Sequence, residues 1–206
     1  MRRRITGIVA TGAAAALTLG FTALSASAQQ AEWTVDPGGD YTAASGTTVL
    51  TNTANGVTLD CASSDASGSL VGSATGTPAE IGTIDAISWD NCSGPLGLAF
   101  EVIPGNVPWT INGESWSNGV TTGYIGGVVA NLTGPDCDAT VEGEAPGTYD
   151  NATDTLAPSP DAGSGHELVV TEVDPSANCF GLINEGDVVT FEAEYTVTPG
   201  QDVVLQ

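Results

Sequence analysis

Lysine and arginine are missing from residues 29–206. The three basic side chains, Arg2, Arg3 and Arg4, stand at the start of the chain, and all 25 Asp and Glu lie beyond them. Residues 29–206 therefore carry a formal charge of about −25, against −22 for the whole chain. A phosphate backbone repels such a surface, so nucleic acids are excluded as partners. Attraction to anionic membranes is excluded on the same ground. Phosphate-ester substrates would need a bound cation or a nest of backbone amides, and no Gly-rich phosphate loop in a strand–helix context is present.

Histidine is almost as scarce. His166 is the single one, which excludes a zinc site built from two or three histidines of one chain. A serine hydrolase would have to use it, yet no Gly-x-Ser-x-Gly elbow precedes a helix. His166, in Ser164-Gly165-His166, reads as a solvent-exposed side chain where a loop enters a strand.

Long apolar runs are missing after the first residues. Arg2–Arg4, the apolar stretch from Ile5 through Leu24 and the small-x-small triplet Ala26-Ser27-Ala28 make a secretory signal peptide over residues 1–28. No cysteine follows the cleavage point, which argues against a lipid anchor. No second apolar run of about 18 residues exists, so residues 29–206 are expected not to span a bilayer. A secreted, extracellular or cell-surface protein is expected.

The cysteines that are present, Cys61, Cys92, Cys137 and Cys179, all lie in the exported part. An even count in an oxidising compartment points to two disulfides. Three pairings are open. Nearest-neighbour pairing, Cys61 with Cys92 and Cys137 with Cys179, is expected because each half of the chain then closes on itself.

Gly, Thr, Ser, Val, Asp and Asn dominate the rest, and no long window carries a 3.6-residue apolar period. Thr and Val favour strands, while Gly, Asn, Asp and Pro punctuate turns. The clearest strand is Val188 to Val197, with Val189, Phe191, Ala193, Tyr195 and Val197 on one face. Further strands are expected at Thr47–Thr51, Val57–Cys61, Ile84–Trp89, Leu98–Ile103, Tyr124–Leu132, Cys137–Gly143 and Glu167–Val173. Asn55-Gly56 marks a two-residue hairpin. Asn151 to Gly165, with Pro158 and Pro160, is the best loop. The expected fold is mainly β, an antiparallel β-sandwich or a partly closed barrel. Asn91-Cys92 to Leu96 and Asn178-Cys179-Phe180-Gly181-Leu182 suggest an internal duplication, two similar singly bridged units divided near residues 105–135.

Several segments together resemble a largely uncharacterised group of small secreted proteins of high-GC Gram-positive bacteria. They are Asn52 to Cys61, Trp89-Asp90-Asn91-Cys92, Pro108-Trp109-Thr110-Ile111, Gly134-Pro135-Asp136-Cys137, Gly147 to Asn151 and Asn178 to Leu182. The resemblance implies export and a disulfide-bridged β body, and no activity.

Two kinds of site are compatible with the residues. Trp109, Glu114 and Trp116 lie within one short segment and would suit glycan contact, a Trp face stacking on a sugar while carboxylates supply acid–base chemistry. The other reading is packing. Asp136 with Asp138, and Asp150 with Asn151 and Asp154, would suit calcium, since carboxylates and carbonyls on loops ligate hard cations; full solvation is the other reading. With no catalytic motif, the chain reads as a non-enzymatic structural or interaction protein. Its partner is an extracellular or envelope macromolecule or a second copy. An extracellular carboxylate-dependent glycan hydrolase or carbohydrate-binding module is the alternative.

Overall fold

A computed structural model describes residues 30–160 and 165–206. The signal peptide expected over residues 1–28 lies outside the described residues. The architecture is mainly β and antiparallel throughout. In chain order the strands are β1 (Glu32–Asp36), β2 (Gly39–Ser45), β3 (Thr48–Asn52), β4 (Thr58–Cys61), β5 (Ser63–Leu70) and β6 (Ser73–Thr75). Next come β7 (Ala79–Asp90), β8 (Cys92–Ser93), β9 (Ala99–Gly105), β10 (Trp109–Ser117), β11 (Val120–Gly134) and β12 (Cys137–Asp150). The last are β13 (Thr155–Pro158), β14 (Leu168–Asn178), β15 (Val188–Glu192), β16 (Tyr195–Thr198) and β17 (Asp202–Leu205).

Fourteen strands join in one sheet whose pairings form an unbroken circuit, β10-β11-β9-β8-β4-β3-β15-β14-β12-β13-β16-β2-β5-β7 and back to β10. The β11–β12 hairpin also pairs along its whole length and bridges the circuit, so two rings share that hairpin. One ring uses Val120–Ile125 with Ala145–Asp150, and the other uses Val128–Gly134 with Cys137–Gly143. Between the two, Gly126 and Gly127 form a bulge opposite Glu144. A bulge bends the long strands there, which lets one hairpin serve both rings.

Period-two burial drives the closure. Cys137, Ala139, Val141, Ala145 and Tyr149 of β12 all face inward, joined by Ile84, Trp109, Leu132, Val170 and Val189 from other strands. The face expected for Val188–Val197 is kept, with Val189, Ala193, Tyr195 and Val197 buried. The strand itself is split, however. β15 pairs with β14 and β3, whereas β16 pairs with β13 and β2. The chain changes rings at Ala193-Glu194 without turning its apolar face outward, because an even-numbered step preserves the face.

Two other expectations are corrected. The Asn55-Gly56 hairpin exists, but Thr53 to Val57 all lie between the strands, closed by Asn52 N–H to the Val57 carbonyl at 2.8 Å. The expected loop from Asn151 to Gly165 contains β13, which pairs with both β12 and β16. Neighbours on two sides satisfy a backbone whose own sequence shows no strand pattern.

A smaller sheet, β17-β1-β6, packs on the large one. Trp33 of β1 is fully buried and donates its indole N–H to the Gly76 carbonyl at 3.0 Å. Its ring lies flat on Gly113 of β10, where a Cβ would meet the Trp33 ring at 2.9 Å. The disulfides are Cys61–Cys92 and Cys137–Cys179. Cys61–Cys92 ties the end of β4 to β8, Cys137–Cys179 ties the start of β12 to the turn after β14, and all four strands belong to the same circuit.

Candidate functional site

His166 is not exposed. Its side chain is 17% accessible and sits between two carboxylates, Nε2 at 3.0 Å from Glu114 Oε1 and Nδ1 at 2.5 Å from Glu144 Oε2. The ring stacks on Tyr124, with centroids 3.7 Å apart and planes inclined by 25°. Strand irregularities build this arrangement. Glu114 is the extra residue of a bulge in β10, between Gly113 and Ser115. Glu144 faces the Gly126-Gly127 bulge, and its backbone N–H bonds the Glu167 carbonyl at 2.9 Å. Bulges re-aim side chains, and here they turn two carboxylates toward one imidazole.

Each ring nitrogen has a carboxylate oxygen as its partner, an arrangement that favours the doubly protonated imidazole, which has no lone pair to offer a metal or a nucleophile. It also fills the gap between Glu114 and Glu144, where a glycosidic oxygen and its attacking water would have to sit. The two carboxylates bond different ring nitrogens, Glu114 at Nε2 and Glu144 at Nδ1. Among the described residues no group of three or more His, Cys, Asp and Glu could hold a metal ion. The cluster is a clamp that ties β10, β11 and β12 to the segment leading into β14.

Burial works against a charged His166, but the hydrogen bonds to Glu114 and Glu144 outweigh it and hold the imidazole above its ordinary pKa. Burial first, and then the charges of Glu144 and Glu114, push Tyr124 above the usual phenol range. A histidine raised in the folded state contributes its stability in full below the unfolded value of about 6.5, and loses it as pH rises through the folded value. Between about pH 6 and about pH 9 the wild type should therefore lose more melting temperature than His166→Gln, measured by thermal unfolding in matched buffers. Parallel curves for the two proteins would sink the clamp.

The aromatic segment is divided by the fold. Trp109 is 3% exposed, donates its indole N–H to the Gly105 carbonyl at 2.9 Å and packs against Trp89. Its face therefore meets the core and is closed to a sugar. Trp116 is half-buried against the core. Glu114 belongs to the His166 clamp. Both tryptophans thus pack on the core, and Glu114 turns to His166.

Of the four carboxylates expected as calcium ligands, those of Asp150 and Asp154 accept local hydrogen bonds. Asp136 is in the left-handed region (φ 49) in the β11–β12 turn, and its carbonyl accepts the Cys179 N–H at 2.9 Å. Asp138 is an exposed position of β12. Asp150 accepts the Ala152 N–H at 2.8 Å. Asp154 accepts the Tyr149 hydroxyl at 3.3 Å, and its carbonyl accepts the Val197 N–H at 2.8 Å.

A feature at one end of the molecule was not read from the sequence. After Cys92 a tight turn runs through Pro95–Gly97, and after β14 a second runs through Cys179–Gly181. Leu96 (φ 61, ψ 15) and Phe180 (φ 56, ψ 20) both adopt the left-handed conformation, each followed by a left-handed glycine, Gly97 or Gly181. Leu96 is 99% exposed and Phe180 59%. The Cys-plus-turn likeness noted in the sequence thus has a shared backbone form. What the sequence could not show is that these two apolar residues point outward.

Among the described residues no helix is long and apolar enough to cross a membrane. Comparison with curated proteins and with solved structures returns no match. A family model described as alkane oxidation protein activator PraA/PraB-like matches residues 2–204. That match takes in both disulfides, the His166 clamp and the two outward turns, and by it this chain belongs to the PraA/PraB-like family.

Proposed function

We propose that the protein works outside the cell as a non-enzymatic accessory to alkane oxidation, assisting cells that oxidise alkanes without itself transforming them. The family's description as an activator supports an assisting role. The observation that carries the non-enzymatic part is the saturated clamp, in which the lone imidazole has both nitrogens bonded to Glu114 and Glu144. The four thiols are consumed in disulfides, which leaves no cysteine nucleophile among the described residues. Export is supported by the signal-peptide pattern of residues 1–28 and by those same disulfides, which suit an oxidising compartment.

The test is to delete the gene in a producing strain and grow it on hexadecane, with or without purified residues 29–206 added to the medium. Restored hexadecane consumption, with no product when protein and hexadecane are incubated alone, supports the reading. Oxidised product from the protein alone would overturn its non-enzymatic part. Restoration only by a form kept inside the cell would overturn its extracellular part.

A further inference from the structure

We propose that the end of the molecule bearing the two cysteine-anchored turns is an adsorption surface for liquid alkane, with Leu96 and Phe180 the side chains that enter the apolar phase. The inference rests on the reading of the protein as an extracellular alkane accessory and assigns the part of the molecule that meets the hydrocarbon.

Both turns lie at one end. Leu96 sits between β8 and β9, and the Phe100 ring of β9 fills the space beside Gly94 and Gly134. Gly134 pairs with Cys137, and Cys137 with Asn178, immediately before the second turn. β9 and β14 are separated by three strand spacings, about 14 Å in all. Leu182, 36% exposed, follows Phe180 on the same end.

The residue types make no sense as fold chemistry. A left-handed backbone crowds a Cβ, and Gly or Asn adopts it more readily than Leu or Phe. Glycine at either position would be easier for the backbone and easier for water. Of the large hydrophobic side chains left exposed among the described residues, Leu96 and Phe180 are the two most exposed. Strained outliers held by their surroundings are candidates for function. Here the surroundings are firm. Gly94 N–H bonds the Leu98 carbonyl at 2.8 Å and Leu182 N–H bonds the Cys179 carbonyl at 2.9 Å, each beside a disulfide.

The arrangement selects the occupant. Two outward tips on strands three spacings apart, with Leu182 beside one of them, make a discontinuous apolar surface rather than the contiguous patch that a protein partner would need, whereas a fluid phase has no shape to match. An anionic lipid surface is ruled out by the lack of Lys and Arg in residues 29–206. Uncharged hydrocarbon accepts the tips while the acidic flanks remain in water.

The experiment measures depletion of purified residues 29–206 from buffer by hexadecane droplets. The variants are Leu96→Asn, Phe180→Asn and their combination, since Asn tolerates the left-handed backbone. The swap Leu96→Phe with Phe180→Leu keeps both tips apolar. Val107→Ser changes an apolar residue beyond the far end of β9, 39% exposed. Each Asn variant should partition roughly tenfold less and the double variant about a hundredfold less. The swap and Val107→Ser should match the wild type, and melting temperatures should confirm folding. The proposal is overturned if the wild type stays in buffer, if the folded double variant adsorbs like wild type, or if phosphatidylcholine vesicles bind the wild type as well as droplets do. None of those outcomes touches restored growth on hexadecane. Failed restoration alongside tip-dependent adsorption would remove the accessory role and leave the surface.

Discussion

Trp33→Ala is expected to destabilise the fold by about 3–5 kcal/mol, lowering the melting temperature by roughly 10 °C. Trp33 is fully buried, spends its indole N–H on the Gly76 carbonyl, and lies flat on Gly113. It is the main peg between the β17-β1-β6 sheet and the large one. Removing it leaves a cavity that neighbouring backbone cannot fill, because Gly113 has no side chain to move in. Trp116→Ala provides the contrast. Its indole is half-buried and its N–H has no hydrogen-bond partner among the described residues, so less than half the loss is expected. Urea unfolding of both variants decides the matter, and equal losses would show that Trp33 is not the peg.

Replacing either cysteine pair by alanine should cost about 4 kcal/mol on the chain-entropy estimate, which strain or residual structure in the unfolded chain can reduce. The bridges close sequence separations of 31 and 42 residues, and the logarithmic dependence makes their effects nearly equal. Removing both would take up most of a typical domain's stability of about 5–15 kcal/mol. The reduced protein should therefore unfold near physiological temperature while the oxidised protein does not. Circular dichroism melts with and without reductant test this, and superimposed melts would refute it. The expectation also explains the placement of the bridges. The first bridge stands where β4 meets β8 through the single pair Asp60–Ser93, and the second ties the end of β14 to the start of β12 at Cys137–Asn178.

Strands rich in Val, Ile or Leu were legible because alternation over one face is a local signal. β3, β4 and β9 match their expected spans closely, whereas β11, β12 and β14 run well past theirs, β12 to Asp150 rather than Gly143 and β14 to Asn178 rather than Val173. β5 (Ser-Ser-Asp-Ala-Ser-Gly-Ser-Leu) and β13 were not, since both are held by partners on two sides rather than by their own apolar face. The end of β15 was hidden for the opposite reason. The alternation runs on through Ala193 into β16, so nothing in the pattern marks the change of ring.

The candidate sites divide along the same line. Glu114 drew notice through its aromatic neighbours, yet its partner is His166, which is 52 residues away. Both of that histidine's contacts depend on bulges, and a bulge is a mismatch between two strands that neither strand's sequence contains. Leu96 and Phe180 gave no sign either, because an apolar residue before a glycine reads as core until the fold shows which way it points.

The sequence by itself determined the charge, the scarcity of basic side chains, the β class and the even cysteine count. Those properties are sums over residues or patterns over a few neighbours, so they need no knowledge of what lies across the sheet. Only the tertiary structure decided that the sheet closes through β7 and β10, that His166 is clamped, and that Leu96 and Phe180 stand in solvent. Each depends on register between strands far apart in the chain, and register is set by the joint burial of many side chains rather than by any one segment.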